Sequence, residues 1–265
     1  TEQAQEICHI PKVLYHWRSH EHSAASNANA KPYTHKAGEI AVKNHFERIG
    51  LPVDVLDGFC GNMHRIVYHL PQDETLVSII IPNKDHASML ERCLDSIWEK
   101  TTYQNFEVVI VENNSVEDET FALYERLQAD HANVRVVTYT GPFNYSAICN
   151  LGVTHAVGDH YLFLNNDMEV ITPNWIELLL GPLQRDEVAV VGARLLYPDD
   201  TIQHDGVVIP RSDPKHVACM APRSLVYYFG MIHNARDVLS VTGACLMVSR
   251  EDFESVEGFD ERYAV

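Results

Sequence analysis

Leu76-Val77-Ser78-Ile79-Ile80-Ile81-Pro82-Asn83-Lys84-Asp85 is the stretch whose reading decides the fold. Its first six residues form a short, nearly continuous apolar run, which is what a strand covered on both faces needs. The four that follow are polar or ring-constrained, and residues 81–90 contain no glycine. Two common ways of cradling a phosphate are thereby excluded. A dinucleotide-binding domain carries G-x-G-x-x-G directly after its first strand, and a P-loop needs G-x-x-x-x-G-K-[ST], which occurs nowhere in the chain.

Downstream the same grammar repeats. Ser88-x-x-Glu91 reads as a capping box for a helix whose Leu90, Leu94, Ile97 and Trp98 share one face. Residues 106–111 read as a strand, followed by a helix carrying Phe121, Tyr124 and Leu127. Residues 134–139 then read as a strand, 145–156 as a helix and 160–164 as a buried strand. A helix follows with Thr172 as N-cap, Pro173 in its first turn and Gly181 at its end, and residues 188–195 read as a further strand. Strands alternating with helices predict an α/β fold, a mostly parallel sheet with helices on both faces. Ligands of such sheets bind outside the carboxyl ends of the strands.

Upstream the pattern is weaker. Residues 10–18 look strand-like, 19–32 are a polar loop, and 34–49 suggest a helix with Ile40, Val42, Phe46 and Ile49 as its apolar stripe. Gly50 and Pro52 end that helix, and residues 65–70 suggest an isolated strand. Too little apolar surface is present there for an independent core. Residues 1–75 are therefore expected to be an appendage or linker, and 76–265 the domain.

Charge and composition narrow the chemistry. The formal net charge of −17 disfavours nucleic acid as a partner, because an acidic surface repels phosphate backbones. No run of about 18 apolar residues is present, so no membrane span is expected. None of the six cysteines forms a C-x-x-C pair, which suits free thiols in a reducing cytosol. The fifteen histidines are scattered, and only His20 and His22 stand close together. The first residues, Thr1-Glu2-Gln3, do not read as a signal peptide.

Three polar clusters fall at predicted strand ends: Pro82-Asn83-Lys84-Asp85, Glu112-Asn113-Asn114-Ser115, and Asn165-Asn166-Asp167-Met168-Glu169. Asn and Asp also make turns and cap helices, but three such clusters on one edge suggest a site. Without a glycine cradle, a phosphate there needs another counter-charge. A carboxylate-bound divalent cation supplies one, and Asp167 is the best-placed ligand.

The runs Val77-Ser78-Ile79-Ile80-Ile81-Pro82, residues 106–115 (FEVVIVENNS), Asn150-x-Gly152, Phe163-Leu164-Asn165-Asn166-Asp167, Thr242-Gly243-Ala244 and Glu257-Gly258-Phe259-Asp260-Glu261 occur in this order. Over roughly residues 76–263 the set resembles glycosyltransferase family 2, which implies the GT-A fold. The resemblance implies that Pro82, Asn83, Glu112 and Asn113 bind the nucleotide base and ribose, with Glu-Asn where the family has Asp-Asp. It lays Asn165-x-Asp167 on the family's D-x-D motif. Asp167 then holds Mn2+ or Mg2+, Asn165 or Asn166 bonds the sugar or ribose, and Glu169 stands nearby. Asn150 and Gly152 match a segment near the phosphates, with Cys149 where an Arg commonly precedes. Gly243 and Ala244 match the acceptor side.

The family's catalytic base follows the Gly-Phe-Asp-Glu segment and is expected beyond Val265, with Asp260 and Glu261 structural; the domain would then be truncated at its C-terminal end. Residues 8–25 resemble the tail of a preceding module in tandem family 2 proteins. The resemblance thus implies an inverting, metal-dependent hexosyl or deoxyhexosyl transferase. It would move sugar from a nucleotide-diphosphate donor to a glycan or lipid-linked acceptor in bacterial surface polysaccharide synthesis, in the cytoplasm and at the inner face of the membrane. A non-catalytic nucleotide-sugar-binding or scaffolding module is the alternative, suited by the Asn substitutions and the missing base. A sugar nucleotidyltransferase fits less well, because its glycine-rich basic loop is not here.

Overall fold

A computed structural model describes residues 4–16, 33–71, 75–210, 213–226 and 230–263. The order of elements is α1 (Tyr33–Ile49), β1 (Val53–Asp57), β2 (His64–Tyr68), β3 (Val77–Asn83), α2 (Ala87–Lys100), β4 (Phe106–Glu112), α3 (Asp118–Asp130), β5 (Val134–Thr138), α4 (Tyr145–Thr154), β6 (His160–Leu164) and α5 (Trp175–Leu180). It continues with β7 (Val190–Gly192), β8 (Leu195–Leu196), β9 (Ile202–His204), β10 (Val207–Val208), β11 (Lys215–His216), β12 (Cys245–Ser249) and α6 (Arg250–Ser255).

Six strands form the main sheet in the order β5-β4-β3-β6-β12-β7. The first four are parallel, and β12 runs antiparallel between β6 and β7. Side-chain alternation along the strands divides the core in two. Val77, Ile79 and Ile81 of β3 face α2, α3 and α5 through Leu90, Leu94, Ile97, Leu127 and Ile176. Ile80, with Val109 and Val111 of β4, faces Ile148 of α4 and Phe253 of α6. Helices therefore cover both faces, as the apolar run at residues 76–81 requires. Gly152 lets α4 lie close to the sheet: a Cβ there would stand 2.5 Å from Ile80 Cγ2 and 2.9 Å from Val111 Cγ2. The chain sets β4 and β5 on one side of β3 and then crosses to place β6 on the other. The topological switch point, where such sheets bind ligands, falls at the carboxyl end of β3.

Several sequence expectations need correction. Residues 10–16 form no strand, and Ile10, Val13, Leu14 and Tyr15 are exposed; among the described residues no strand lies beside them to complete a sheet. Residues 17–18 and the polar loop 19–32 lie outside the described residues, as do His20 and His22. The predicted helix at 34–49 is α1, but Ile40 and Ile49 are exposed and only Phe46 is buried, edge-on against Tyr68 of β2. The strand expected alone at 65–70 is β2, paired antiparallel with β1 in a separate two-stranded sheet. That hairpin docks on the rest of the chain. Tyr68 packs against Gly181, Phe59 stacks on His233 with ring centroids 3.6 Å apart, and Asn234 donates to Met63 Sδ.

The capping box does not form. Helix α2 begins at Ala87 behind His86, which has φ 56° and whose N–H donates to Glu117 Oε2, while Glu91 pairs with Arg126. Asn174, not Thr172, is the N-cap of α5, because Thr172 closes the preceding turn with its carbonyl on Trp175 N. Phe121 is exposed, although Tyr124 and Leu127 are buried. The strand expected at 188–195 breaks after Gly192, where Val241 crowds the backbone, and the chain leaves the sheet to pair β8 with β9. Strand β12, central in the sheet, has no counterpart in the sequence reading.

Candidate functional site

A cleft of about 470 Å3 opens at the carboxyl ends of β3, β4 and β6. Pro82, Asn83, Lys84 and His86 line it from β3 and the turn after it, and Asn113 from the end of β4. Phe143, Tyr145 and Ile148 come from the loop after β5 and the start of α4, Asn165 and Asn166 from the end of β6, and Thr242, Gly243 and Ala244 from the segment leading into β12.

A relay of hydrogen bonds fixes the floor. Asn166 Nδ2 donates to Asn83 Oδ1 (2.6 Å), Asn83 Nδ2 donates to the Tyr124 hydroxyl (2.7 Å), and that hydroxyl donates to Glu112 Oε2 (2.7 Å). Glu112 also accepts from the backbone N–H and hydroxyl of Ser115. Burial pushes the Tyr124 phenol up, so it remains a donor. Three strand ends and α3 are thereby joined through side chains that are nearly all out of contact with water. In such a network each bond matters more than at a surface, because a lost partner leaves a desolvated polar group.

The expected donor-binding residues do not all reach the cleft. Pro82, Asn83, Asn113, Asn165 and Asn166 line it, as do Gly243 and Ala244 on the acceptor side. Glu112 does not: it is buried, and both carboxylate oxygens serve the relay. Asn113 spends its amide nitrogen on the carbonyls of Tyr139 and Gly141, so it shapes the loop that carries Phe143. Asn150 turns elsewhere, with Nδ2 donating to Phe259 O and Glu261 Oε1 while Oδ1 accepts from Phe259 N. It clamps the Gly258–Glu261 turn onto α4. Asp260 pairs with Arg262.

Asp167 stands in the exposed turn just past β6, outside the cleft lining. Among the described residues no three His, Cys, Asp or Glu side chains come together as a metal site. The donor set fits a hard cation held by one carboxylate and completed by phosphate and water oxygens, the manner in which Mg2+-type ions commonly bind. Asp85 is engaged by backbone through one of its oxygens. It accepts from Val116 N and Glu117 N, which hold its carboxyl below the usual range.

The sequence reading passed over His86, Phe143, Tyr145 and Ile148. The strand-end rule, applied also to the third strand, would have led to Phe143. Tyr145 donates to Gly243 O at 2.8 Å, and a Cβ on Gly243 would lie 2.7 Å from that hydroxyl, which is why a glycine stands there. Beneath the floor, Cys93 donates to Asn165 O, and burial pushes its thiol up to about 12. Cys149 and Cys245 are likewise buried and pushed up to about 12, so these three thiols are packing groups and not nucleophiles.

Comparison with known proteins agrees with this architecture. The family model for glycosyl transferase family 2 matches residues 78–256. An uncharacterised protein of Sinorhizobium fredii, y4gI, is 39% identical over 262 residues, covering 98% of this chain and 29% of that protein. The O-antigen biosynthesis protein RfbC of Myxococcus xanthus is 40% identical over 267 residues, covering 100% of this chain and 21% of that protein. The chain thus spans less than a third of the length of either relative. Among solved structures, the mannosyltransferase PcManGT from Pyrobaculum calidifontis, in complex with GDP-Man and Mn2+, superposes with a TM-score of 0.52 at 18% identity, over 88% of this chain and 58% of that one. GalNAc-T7 with UDP, GalNAc and Mn2+ superposes with a TM-score of 0.58 at 17% identity, over 73% and 38%. The fold is GT-A, and with its family model matched across the parallel sheet and both walls of the cleft, the chain belongs to glycosyltransferase family 2.

Proposed function

We propose that the cleft binds the nucleotide-diphosphate end of a sugar donor and that Asp167 holds the accompanying Mn2+ or Mg2+. The observation that carries this reading is the convergence of Asn83, Asn113, Asn165 and Asn166 at the switch point with a carboxylate at the rim. The amide nitrogens of Asn113 and Asn166 are spent within the protein, so these two side chains offer their oxygens as acceptors to a base or a ribose. The cation, when bound, offsets the charge of the leaving diphosphate. The main-chain strip 242–244 lines the same cleft as these asparagines, and we assign to it the place where the donor and the entering acceptor meet. Similarity to an O-antigen biosynthesis protein supports a role in bacterial surface polysaccharide synthesis, and we propose a glycan or lipid-linked acceptor and a hexosyl or deoxyhexosyl donor. We place the reaction in the cytoplasm, at the inner face of the membrane. Among the described residues, no helix is long and apolar enough to cross a membrane.

Transfer with inversion needs a base that takes the acceptor hydroxyl proton as the oxygen attacks the anomeric carbon in line and the diphosphate departs. Among the described residues, no Asp or Glu lines the cleft. We assign the base to the polypeptide beyond Val265, residues 8–25 to the tail of a preceding module, and residues 1–75 as a whole to an appendage or linker. The lack of a cleft carboxylate also favours the second reading, a non-catalytic sugar-nucleotide-binding module.

Calorimetric titration with a panel of nucleoside diphosphates, with and without Mn2+, tests the first reading. One nucleotide is expected to bind in a Mn2+-dependent way, and silence from the whole panel would overturn it. A longer polypeptide running through the next acidic motif separates the two readings, since regained donor turnover identifies an enzyme and its absence a binding module.

A further inference from the structure

Behind the 242–244 strip lies a pair of histidines that the reaction scheme does not use. His204 closes β9 and is only 1% exposed, whereas His216 of β11 is exposed. Their Nδ1 atoms are 2.8 Å apart, with the rings nearly perpendicular. On its other side, His204 Nε2 accepts from two backbone donors, Gly206 N (3.2 Å) and Thr242 N (3.3 Å). A nitrogen that accepts from two N–H groups carries no proton. His204 is therefore the neutral Nδ1–H tautomer, its proton donated to His216 Nδ1, and His216 carries its own proton on Nε2.

We propose that His204 is a positioning residue of the cleft, setting from behind the place of the Thr242–Ala244 backbone against which substrate rests. The strip is held from both sides. Tyr145 holds Gly243 O and Asn165 N holds Ala244 O on the cleft side, and His204 holds Thr242 N on the far side. Protonating either ring would set N–H against N–H and release the strip. Burial first, and then the adjacent ring of His216 and the nearby Arg236, favour the neutral form of His204. The adjacent Asp205, which would favour the cation, is occupied by Arg194 and Arg236. The role in positioning substrate rests on the reading of the cleft as the donor site; the hydrogen-bond arrangement does not.

Amide exchange on the full 265-residue chain tests the arrangement. Thr242 and Gly206 are expected to exchange about tenfold faster in His204→Ala. His204→Gln, whose Oε1 reaches the place of Nε2, should restore protection. In the wild type, protection should weaken relative to other amides as the pH falls from about 6 through about 4, and in the Gln variant it should not. His216→Ala, at an exposed ring, gives a smaller acceleration and serves if His204→Ala does not fold. Titration with the nucleoside diphosphate selected by the calorimetric panel, plus Mn2+, should show Kd raised about fivefold in His204→Ala and recovered in His204→Gln. Unchanged exchange in the His204 and His216 variants overturns the proposal. Faster exchange with Kd unmoved overturns it too, since His204 would then only stabilise the fold. No binding by the wild type, with the exchange pattern intact, overturns the donor-site reading and the positioning role with it.

Discussion

Asn166 donates its side-chain N–H to Asn83 across 2.6 Å, tying the end of β6 to the end of β3. The two residues come from sequence clusters far apart in the chain, and their bond begins the relay through Tyr124 to Glu112. The floor of the cleft is thus one connected object rather than three separate strand ends.

Tyr124→Phe should expose that connectivity. It removes the middle of the relay, leaving Asn83 Nδ2 and Glu112 Oε2 each short of a partner in a buried site. Stability should fall by about 1–3 kcal/mol, and nucleotide binding should weaken although Tyr124 does not line the cleft. Urea unfolding and calorimetry check the two parts; unchanged affinity at reduced stability would mean that the relay supports the fold and not the site.

Asp167→Ala makes the opposite separation. The side chain is exposed, so stability should stay within about 0.5 kcal/mol of the wild type, while the Mn2+-dependent part of nucleotide binding disappears. Titrations with Mn2+ and with chelator should then coincide. If they still differ, the cation is held elsewhere.

Gly152→Ala tests packing alone. The added methyl meets Ile80 and Val111 across the α4–sheet interface. Overpacking there should cost about 1–3 kcal/mol, more than the small gain in helix propensity returns. The midpoint of denaturant unfolding reports it, and a midpoint at or above wild type would show that α4 can lift without penalty.

Acid should destabilise the chain through His204. Burial first, and the adjacent His216 ring second, hold its pKa down from 6.5 to about 4. Between those values the unfolded chain binds more protons than the folded one, so stability falls as the pH drops through that window. The loss is about 2–3 kcal/mol in all, with none above it. His204→Gln should flatten this part of the stability profile, measured by urea midpoints at successive pH values. A Gln variant as acid-sensitive as the wild type would point to other groups.

The parallel half of the sheet was legible because each of its strands is an apolar run closed by polar residues, and Ile79, Ile80 and Ile81 allow only a strand buried on both faces. Helix starts were less legible. Ser88-x-x-Glu91 has the right residues, but the helix already begins at Ala87 behind His86, whose N–H Glu117 takes, and Glu91 turns to Arg126. Strand β12 escaped notice because Cys245-Leu246-Met247-Val248-Ser249 resembles many short apolar segments, and its place between β6 and β7 is decided by partners distant in sequence. In the site, the strand-end reading pointed to Asn83, Asn113, Asn165 and Asn166, which line the cleft. Glu112 from the same reading, and Asn150 from the family resemblance, do not line it, because a motif shows which residue is present and not which way its side chain turns. Both are spent on neighbours of the cleft.

The antiparallel insertion of β12 also bears on how the molecule is made. As the chain leaves the ribosome, β3, β4, β5 and β6 can assemble from local units, but the outer edge of β6 stays open until Cys245–Ser249 has been synthesised. That edge, His160–Leu164, is apolar and flat enough to pair with another nascent chain. A polypeptide stopped anywhere between Leu164 and Cys245 would carry a nearly complete half-sheet with an adhesive margin, and would aggregate during translation rather than accumulate as a soluble half-domain.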